Sequence, residues 1–360
     1  MRWLGAVAVV SVIAALAGCS GSELNAPSSE SADTRSARSQ AALDQLVAAD
    51  DVPGCIAAVA ERGVVVWQGA RGLADLNART PIGPETRFDI ASISKQFTAT
   101  GILMLDQAGT LSTSDPLSKY ISEMPAWAHQ VTLLQLMHHV SGVPEYFGEL
   151  GPDGWKDSSL DREEVLAQIS SAKKLRFKPG TRWEYSNSNY FLLGIVIERT
   201  SHQSLHGFFR EKMFERLQLQ MTAEPKTNVP NRARSYQSAG LEFEEVNFDI
   251  YALGPAGIWS TAADLATWGD NYRTDELGGP ELQARRLEGG PKTGIESSRY
   301  GAGIFILNTD QLYANGYFDA FKSVFIVSPN RQRSAAVLCN RAESKPDILS
   351  ENLAFIWALD

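Results

Sequence analysis

The chain is poor in several residue types whose abundance would each point to a chemistry. It has only three cysteines, Cys19, Cys55 and Cys339, too few and too scattered for a disulfide-rich scaffold or a paired-cysteine metal site. Its five histidines all fall between His129 and His206, none in a His-Glu-x-x-His arrangement, and no Gly-x-Ser-x-Gly elbow occurs. Zinc hydrolases and histidine-based serine triads are therefore disfavoured, and neither a metal nor an organic cofactor is expected. Positive charge is scarce as well: 33 Lys and Arg stand against 42 Asp and Glu, a formal net charge of -9, with no basic run. That balance argues against nucleic acid as a partner. What is present is ordinary globular composition, 44% hydrophobic and 21% charged over 360 residues, enough for one large domain or two lobes sharing a core.

The N-terminus departs from that average. One positive charge, Arg2, precedes an apolar stretch from Trp3 to Ala17 and then small residues, the arrangement of an export signal. The stretch is short for a membrane span of about 20 residues. Its end, Leu16-Ala17-Gly18-Cys19, resembles the bacterial lipobox. That resemblance implies a signal peptide at residues 1–18, a lipidated Cys19, and a mature protein held in the cell envelope, periplasmic or surface-facing, by acyl chains in a membrane. Residues 20–40 are rich in serine, alanine and charge and cannot bury enough surface to offset ordering, so residues 19–40 are expected to form a flexible tether.

The folded part is expected over residues 41–360. A short helical pattern from Ala41 to Asp50 leads into two strand-like runs, CIAAVAE and VVVWQGARG, broken by Arg62-Gly63 as a hairpin would be. SISKQFTATGILMLDQAG, from Ser92 to Gly109, has helical spacing and ends at glycine. From Asp115 to about Asn247 helices and loops dominate, and Ser260-Thr261 is a plausible cap for STAADLATWGDNYR. Strand-like segments return as YGAGIFIL, QLYAN, FKSVFIV and SAAVLC before a last helix around SENLAFIWAL. The economical arrangement is an α/β (α+β) fold: one antiparallel sheet built from both chain ends, covered by terminal helices, with a mainly helical lobe inserted at about 101–260. Cys55 opens one strand and Cys339 closes another, so antiparallel pairing of the two would allow a disulfide. Two separate buried thiols are the alternative.

Chemistry is first suggested by Ser92-Ile93-Ser94-Lys95. Ser at i and Lys at i+3 share a helix face, and a desolvated lysine can serve as the base a serine hydroxyl needs. Placement at a helix start also offers free backbone N–H groups for an oxyanion. By itself the tetrapeptide is common, but it sits where an extended segment, FDIA, enters an apolar helix. Tyr185-Ser186-Asn187 is the second candidate, with a phenol able to relay a proton and an amide able to orient the lysine. A polar turn capping the helix that follows is the plainer alternative.

With LLQLMHHVSGVPEY around His139 to Gly142 and GIWSTAADLATW at Gly257 to Trp268, these motifs stand in an order that resembles the penicillin-binding protein and serine β-lactamase superfamily, in its class C β-lactamase-like branch. The likeness covers roughly residues 41–360. It implies a sheet of five-stranded type, Ser92 as acylated nucleophile, Lys95 and Tyr185 as its acid/base pair, and Asn187 as a positioning group in substrate binding. His139 is expected to be a buried structural residue.

The third motif of that superfamily is where the sequence departs. A literal Lys292-Thr293-Gly294 precedes the YGAGIF segment, whereas the family's element follows that strand. LYANGYFDAFKSVFIVSP fits the place, with Gly316 as the glycine and Ala314 where a lysine or histidine is usual. Ser92 and Tyr317 would then supply the oxyanion N–H groups. The implied activity is hydrolysis of a small-molecule or peptide ester or amide through an acyl-enzyme, of esterase, D-amino-acid peptidase or weak β-lactamase type. Ala314 tilts it away from efficient β-lactam hydrolysis, and also motivates an alternative, a catalytically weak lipoprotein that binds cell-wall peptides or another protein.

Overall fold

The computed structural model describes residues 30–147, 161–247, 253–295 and 298–359. The expected export signal and the expected lipidation site, Cys19, lie outside the described residues. The first helix, α1, spans Ala32–Leu46, with the Ser31 hydroxyl accepting the Thr34 N–H at 3.2 Å. It begins nine residues before the Ala41 start expected from the sequence, so residues 32–40 are helix and not tether. The reason is tertiary. The Arg35 guanidinium lies 4.6 Å over the Trp357 ring, and the Trp357 indole donates to Ser39 Oγ at 2.9 Å. A polar stretch without an apolar face of its own is ordered by a partner over 300 residues away.

Seven strands form the large sheet: β1 Cys55–Glu61, β2 Val64–Arg71, β3 Arg299–Tyr300, β4 Phe305–Ile306, β5 Leu312–Phe318, β6 Phe321–Val327 and β7 Arg333–Cys339. Their spatial order is β2-β1-β7-β6-β5-β4-β3, every pair antiparallel. The sheet does draw on both chain ends, since β1 lies against β7. The β1–β2 turn uses Arg62 and Gly63, both at positive φ, the twist that a two-residue hairpin needs. Cys55 stands opposite Cys339 in the β1–β7 register, and the two sulfurs are bonded. Of the two alternatives left by the sequence, the bridge is the one found.

The sheet has seven strands rather than the expected five-stranded type, and one of the extra strands arises because YGAGIFIL is not one strand. It is split into β3 and β4 around Gly303 at φ 80°, whose backbone presses on the start of a helix: an added Cβ would lie 2.5 Å from the Lys95 carbonyl carbon. A continuous strand could not make that approach.

Four further helices flank the sheet: α2 Lys95–Gln107, α3 Asn187–Ser201, α4 Ala262–Trp268 and α5 Pro346–Trp357. Alternation along the strands sends Ala57, Val59, Val324, Ile326 and Val337 to the face covered by α1 and α5. Ile56, Ala58, Leu312, Ala314, Phe321 and Phe325 go to the opposite face, into the larger core shared with α2, α3 and α4. Helices α2 and α3 are buried almost all round, Phe97, Ile102, Tyr190, Leu193 and Val196 among them, because they run between sheet and inserted lobe. The lobe is not helix and loop alone. Ser235–Ala239 and Glu242–Val246 form a hairpin, hidden from sequence analysis because EFEEV carries too much charge to show an apolar face.

Candidate active site

A short strand, Phe88–Asp89, pairs with Trp259–Ser260 and delivers the chain into a 3-10 turn, Ala91–Ser94, that continues as α2. Ser92 sits in this turn, and Lys95 is the first residue of the helix. The turn is entered through Ala91 at φ 50°, a left-handed conformation that costs a non-glycine residue roughly 1–2 kcal/mol. Strand β5 lies directly against it: a Cβ on Gly316 would come within 2.6 Å of the Ile90 carbonyl oxygen and 2.8 Å of the Ala91 Cβ. Only glycine permits that approach.

The four residues singled out in the two motifs converge. Lys95 Nζ lies 3.0 Å from Ser92 Oγ, 2.8 Å from Asn187 Oδ1 and 2.9 Å from the Pro255 carbonyl. The Tyr185 hydroxyl donates to Ser92 Oγ at 2.8 Å, and its ring faces the amine at 4.8 Å. Asn187 opens α3 after Ser186 in extended conformation, so the amide points into the cluster from the helix's first turn.

Burial sets the electrostatics. Lys95 is 1% exposed, and the loss of water pushes its amine down to about 7, against the opposing pull of Glu145. Desolvation raises the Tyr185 phenol well above its ordinary range, outweighing the hydrogen bond to Ser92. Burial thus favours the neutral lysine beside a tyrosine that holds its proton at neutral pH. Two carboxyl groups that motif spacing did not single out border the cluster. Glu145 accepts from the backbone of Phe147 at 2.8 Å and from that of Asn187, and burial raises its pKa. Asp89, 4% exposed, is pushed up to about 7 by burial first and by the charge of Asp319 as well. Each stood within a quoted motif, FDIAS or SGVPEY, but only the fold brings them to the site.

His139 is buried, with Nδ1 accepting the Ser186 N–H at 3.2 Å and lying 3.0 Å from Asn189 Nδ2. Its ring packs 4.4 Å from Tyr185, and burial, then the nearby Lys95, holds it neutral. It supports the Tyr185 segment from behind, the structural place foreseen for it. Tyr317 exposes its ring, and its backbone adjoins Gly316 beside the Ser92 turn; Phe318 meets Phe147 edge-on at 6.1 Å. Ala314 is 5% exposed and belongs to the core on the site's side of the sheet. Lys292 takes no part in the cluster. It is exposed on a segment bridged to Arg299 at the β3 edge. Among the described residues no group of three or more His, Cys, Asp and Glu side chains could hold a metal ion, and no helix is long and apolar enough to cross a membrane.

The sequence profile described as Beta-lactamase matches residues 40–354. The chain belongs to the beta-lactamase family. Protein flp of Staphylococcus aureus (strain MW2) is 25% identical over 324 residues, 84% of this chain and 63% of its own length, so this family member spans less than two thirds of that relative. The octameric penicillin-binding protein homologue from Pyrococcus abyssi superposes with a TM-score of 0.79 at 26% identity, over 90% of this chain and 78% of that one. A D-amino acid amidase from Ochrobactrum anthropi SV3 superposes with a TM-score of 0.75 over 90% and 98% of the two chains, at 20% identity, a likeness of fold. The beta-lactamase-family fold is thus that of serine hydrolases and penicillin-binding proteins, with a large antiparallel sheet flanked by helices.

Proposed function

We propose that this protein hydrolyses an ester or amide through an acyl-enzyme on Ser92. The observation that carries the proposal is the pair of hydrogen bonds on Ser92 Oγ, from a buried amine at 3.0 Å and a phenol at 2.8 Å. Above about pH 7 Lys95 is neutral and can take the Ser92 proton as Oγ bonds to the substrate carbonyl carbon. Asn187 and the Pro255 carbonyl hold the resulting ammonium in place. Tyr185, protonated in the resting enzyme, hands its proton to the departing alcohol or amine and is reprotonated from Lys95. Backbone N–H groups of Ser92 and Tyr317 are the donors assigned to the oxyanion, each worth about 10²–10³ in rate for such donors. Water then attacks the acyl carbon with the same groups in reverse, releasing the acid and restoring Ser92.

The β5 face toward the site carries Ala314, Gly316 and Phe318 and no cation, which favours acyl groups without a terminal carboxylate over β-lactams. We further propose, from the lipobox-like end at Cys19, that the protein works in the cell envelope on a lipid anchor. The test is hydrolysis of a p-nitrophenyl ester by the full-length protein and its Ser92→Ala variant. Activity lost with Ser92 supports the acyl-enzyme; activity indifferent to Ser92, or none, supports the peptide- or protein-binding alternative. Cys19→Ala should release the protein from the detergent phase on Triton X-114 partition; retention there would exclude the anchor.

A further inference from the structure

Asp89 has no place in the chemistry just described, yet it connects both halves of it. One carboxylate oxygen, Oδ1, accepts the Ala91 N–H at 2.7 Å and the Gly257 N–H at 3.3 Å. The first bond holds the left-handed residue that immediately precedes Ser92. A strained conformation of this kind persists only where its surroundings over-determine it, and here they do. The Ile90 N–H donates to the Ile258 carbonyl at 2.9 Å, and Ser323 Oγ donates to the Ile90 carbonyl at 2.9 Å.

The second bond reaches the segment that holds the lysine. Two residues before Gly257, the Pro255 carbonyl accepts from Lys95 Nζ, and the Gly254 carbonyl accepts from Thr98 Oγ1 at 2.8 Å on the same helix. One side chain therefore fixes the backbone that aims the nucleophile and the backbone that aims its base. A carboxylate buried in this way is costly unless its bonds are needed.

We infer that Asp89 is a positioning residue: by clamping Ala91 and the 254–258 segment together it sets the Ser92 to Lys95 geometry on which acylation depends. This rests on the acyl-transfer reading above. The clamp acts through hydrogen-bond acceptance, so an amide oxygen should largely replace it, and a residue that adopts positive φ freely at position 91 should reduce the need for it.

The test uses the full-length protein, with two readouts: the rate at which a fluorophosphonate probe labels Ser92, followed by intact mass, and the kcat and KM for a p-nitrophenyl ester. Asp89→Ala should lower labelling rate and kcat by about 100-fold while KM moves less than about threefold, the pattern of an interaction needed for the reaction and not for binding. Asp89→Asn should recover to within about tenfold of wild type. Ala91→Gly placed in the Asp89→Ala background should recover the rate at least about fivefold, a non-additivity that general loss of stability would not produce. Equal labelling of wild type and Asp89→Ala would overturn the inference and leave the acyl-transfer reading intact. Wild type unlabelled at Ser92 would overturn both. If Asp89→Ala does not fold, the amide variant decides: a folded Asp89→Asn protein that labels as slowly as the background reaction overturns the clamp.

Discussion

Lys95 and Lys292 each stand in a tetrapeptide or tripeptide typical of penicillin-recognising enzymes, and the fold treats them in opposite ways. Lys95 is 1% exposed and touches Ser92, Asn187 and the Pro255 carbonyl. Lys292 lies in water at the sheet's far edge, on a segment whose backbone pairs with Arg299. The difference teaches that a lysine's pKa falls when it loses water while hydrogen-bond partners hold its amine. Sequence letters alone do not confer this.

The comparison can be sharpened or broken in order of expected effect. Ser92→Ala should abolish ester hydrolysis, on the order of 10⁶-fold in kcat, because nothing else in the cluster can carry the acyl group. Residual turnover at a tenth of wild type would place the nucleophile elsewhere. Lys95→Met should cost about 10³-fold, within the range for loss of a general base. In the wild type, log kcat/KM should rise with pH and level off near pH 7, since burial has lowered the Lys95 pKa and the amine must shed its proton before accepting that of Ser92. A profile flat from pH 5 to 9, or rising only above pH 9, would show that Lys95 is not the titrating base. Tyr185→Phe should cost about 10²-fold in kcat and preserve the rise near pH 7, because burial raises the phenol's pKa and its own titration does not set that rise. Lys292→Ala should leave kcat/KM within twofold and stability within about 0.5 kcal/mol, as for other exposed substitutions. A large loss of activity there would mean that the literal Lys-Thr-Gly is the third motif after all.

The parts of the fold that local periodicity controls were legible. The β1 and β2 runs are continuous apolar segments broken at Arg62-Gly63, and the α2 pattern from Ser92 repeats at helical spacing, so both elements were foreseeable. The parts that depend on a distant partner were not. Residues 32–40 carry no apolar face and form helix because Trp357 packs on Arg35 and bonds Ser39. YGAGIFIL is apolar enough for one strand and is divided because Gly303 must let α2 begin beside it. The same division holds at the site. Ser92, Lys95, Tyr185 and Asn187 could be singled out because their chemistry and spacing are distinctive; Asp89 and Glu145 could not, since a carboxylate near a motif gives no sign of whether it will be dry.

The sequence by itself determined the residue types and their order: a serine three positions before a lysine at a helix start, a tyrosine and an asparagine ahead of a second apolar helix, and cysteines on strands at opposite chain ends. Tertiary structure alone decided which lysine is buried against Ser92, which cysteines are bonded, and which carboxyl groups border that cluster. Proton affinity depends on water and on partners within a few ångströms, and in this chain the hydrogen-bonding partners of Lys95 and Asp89 lie as much as 168 residues away.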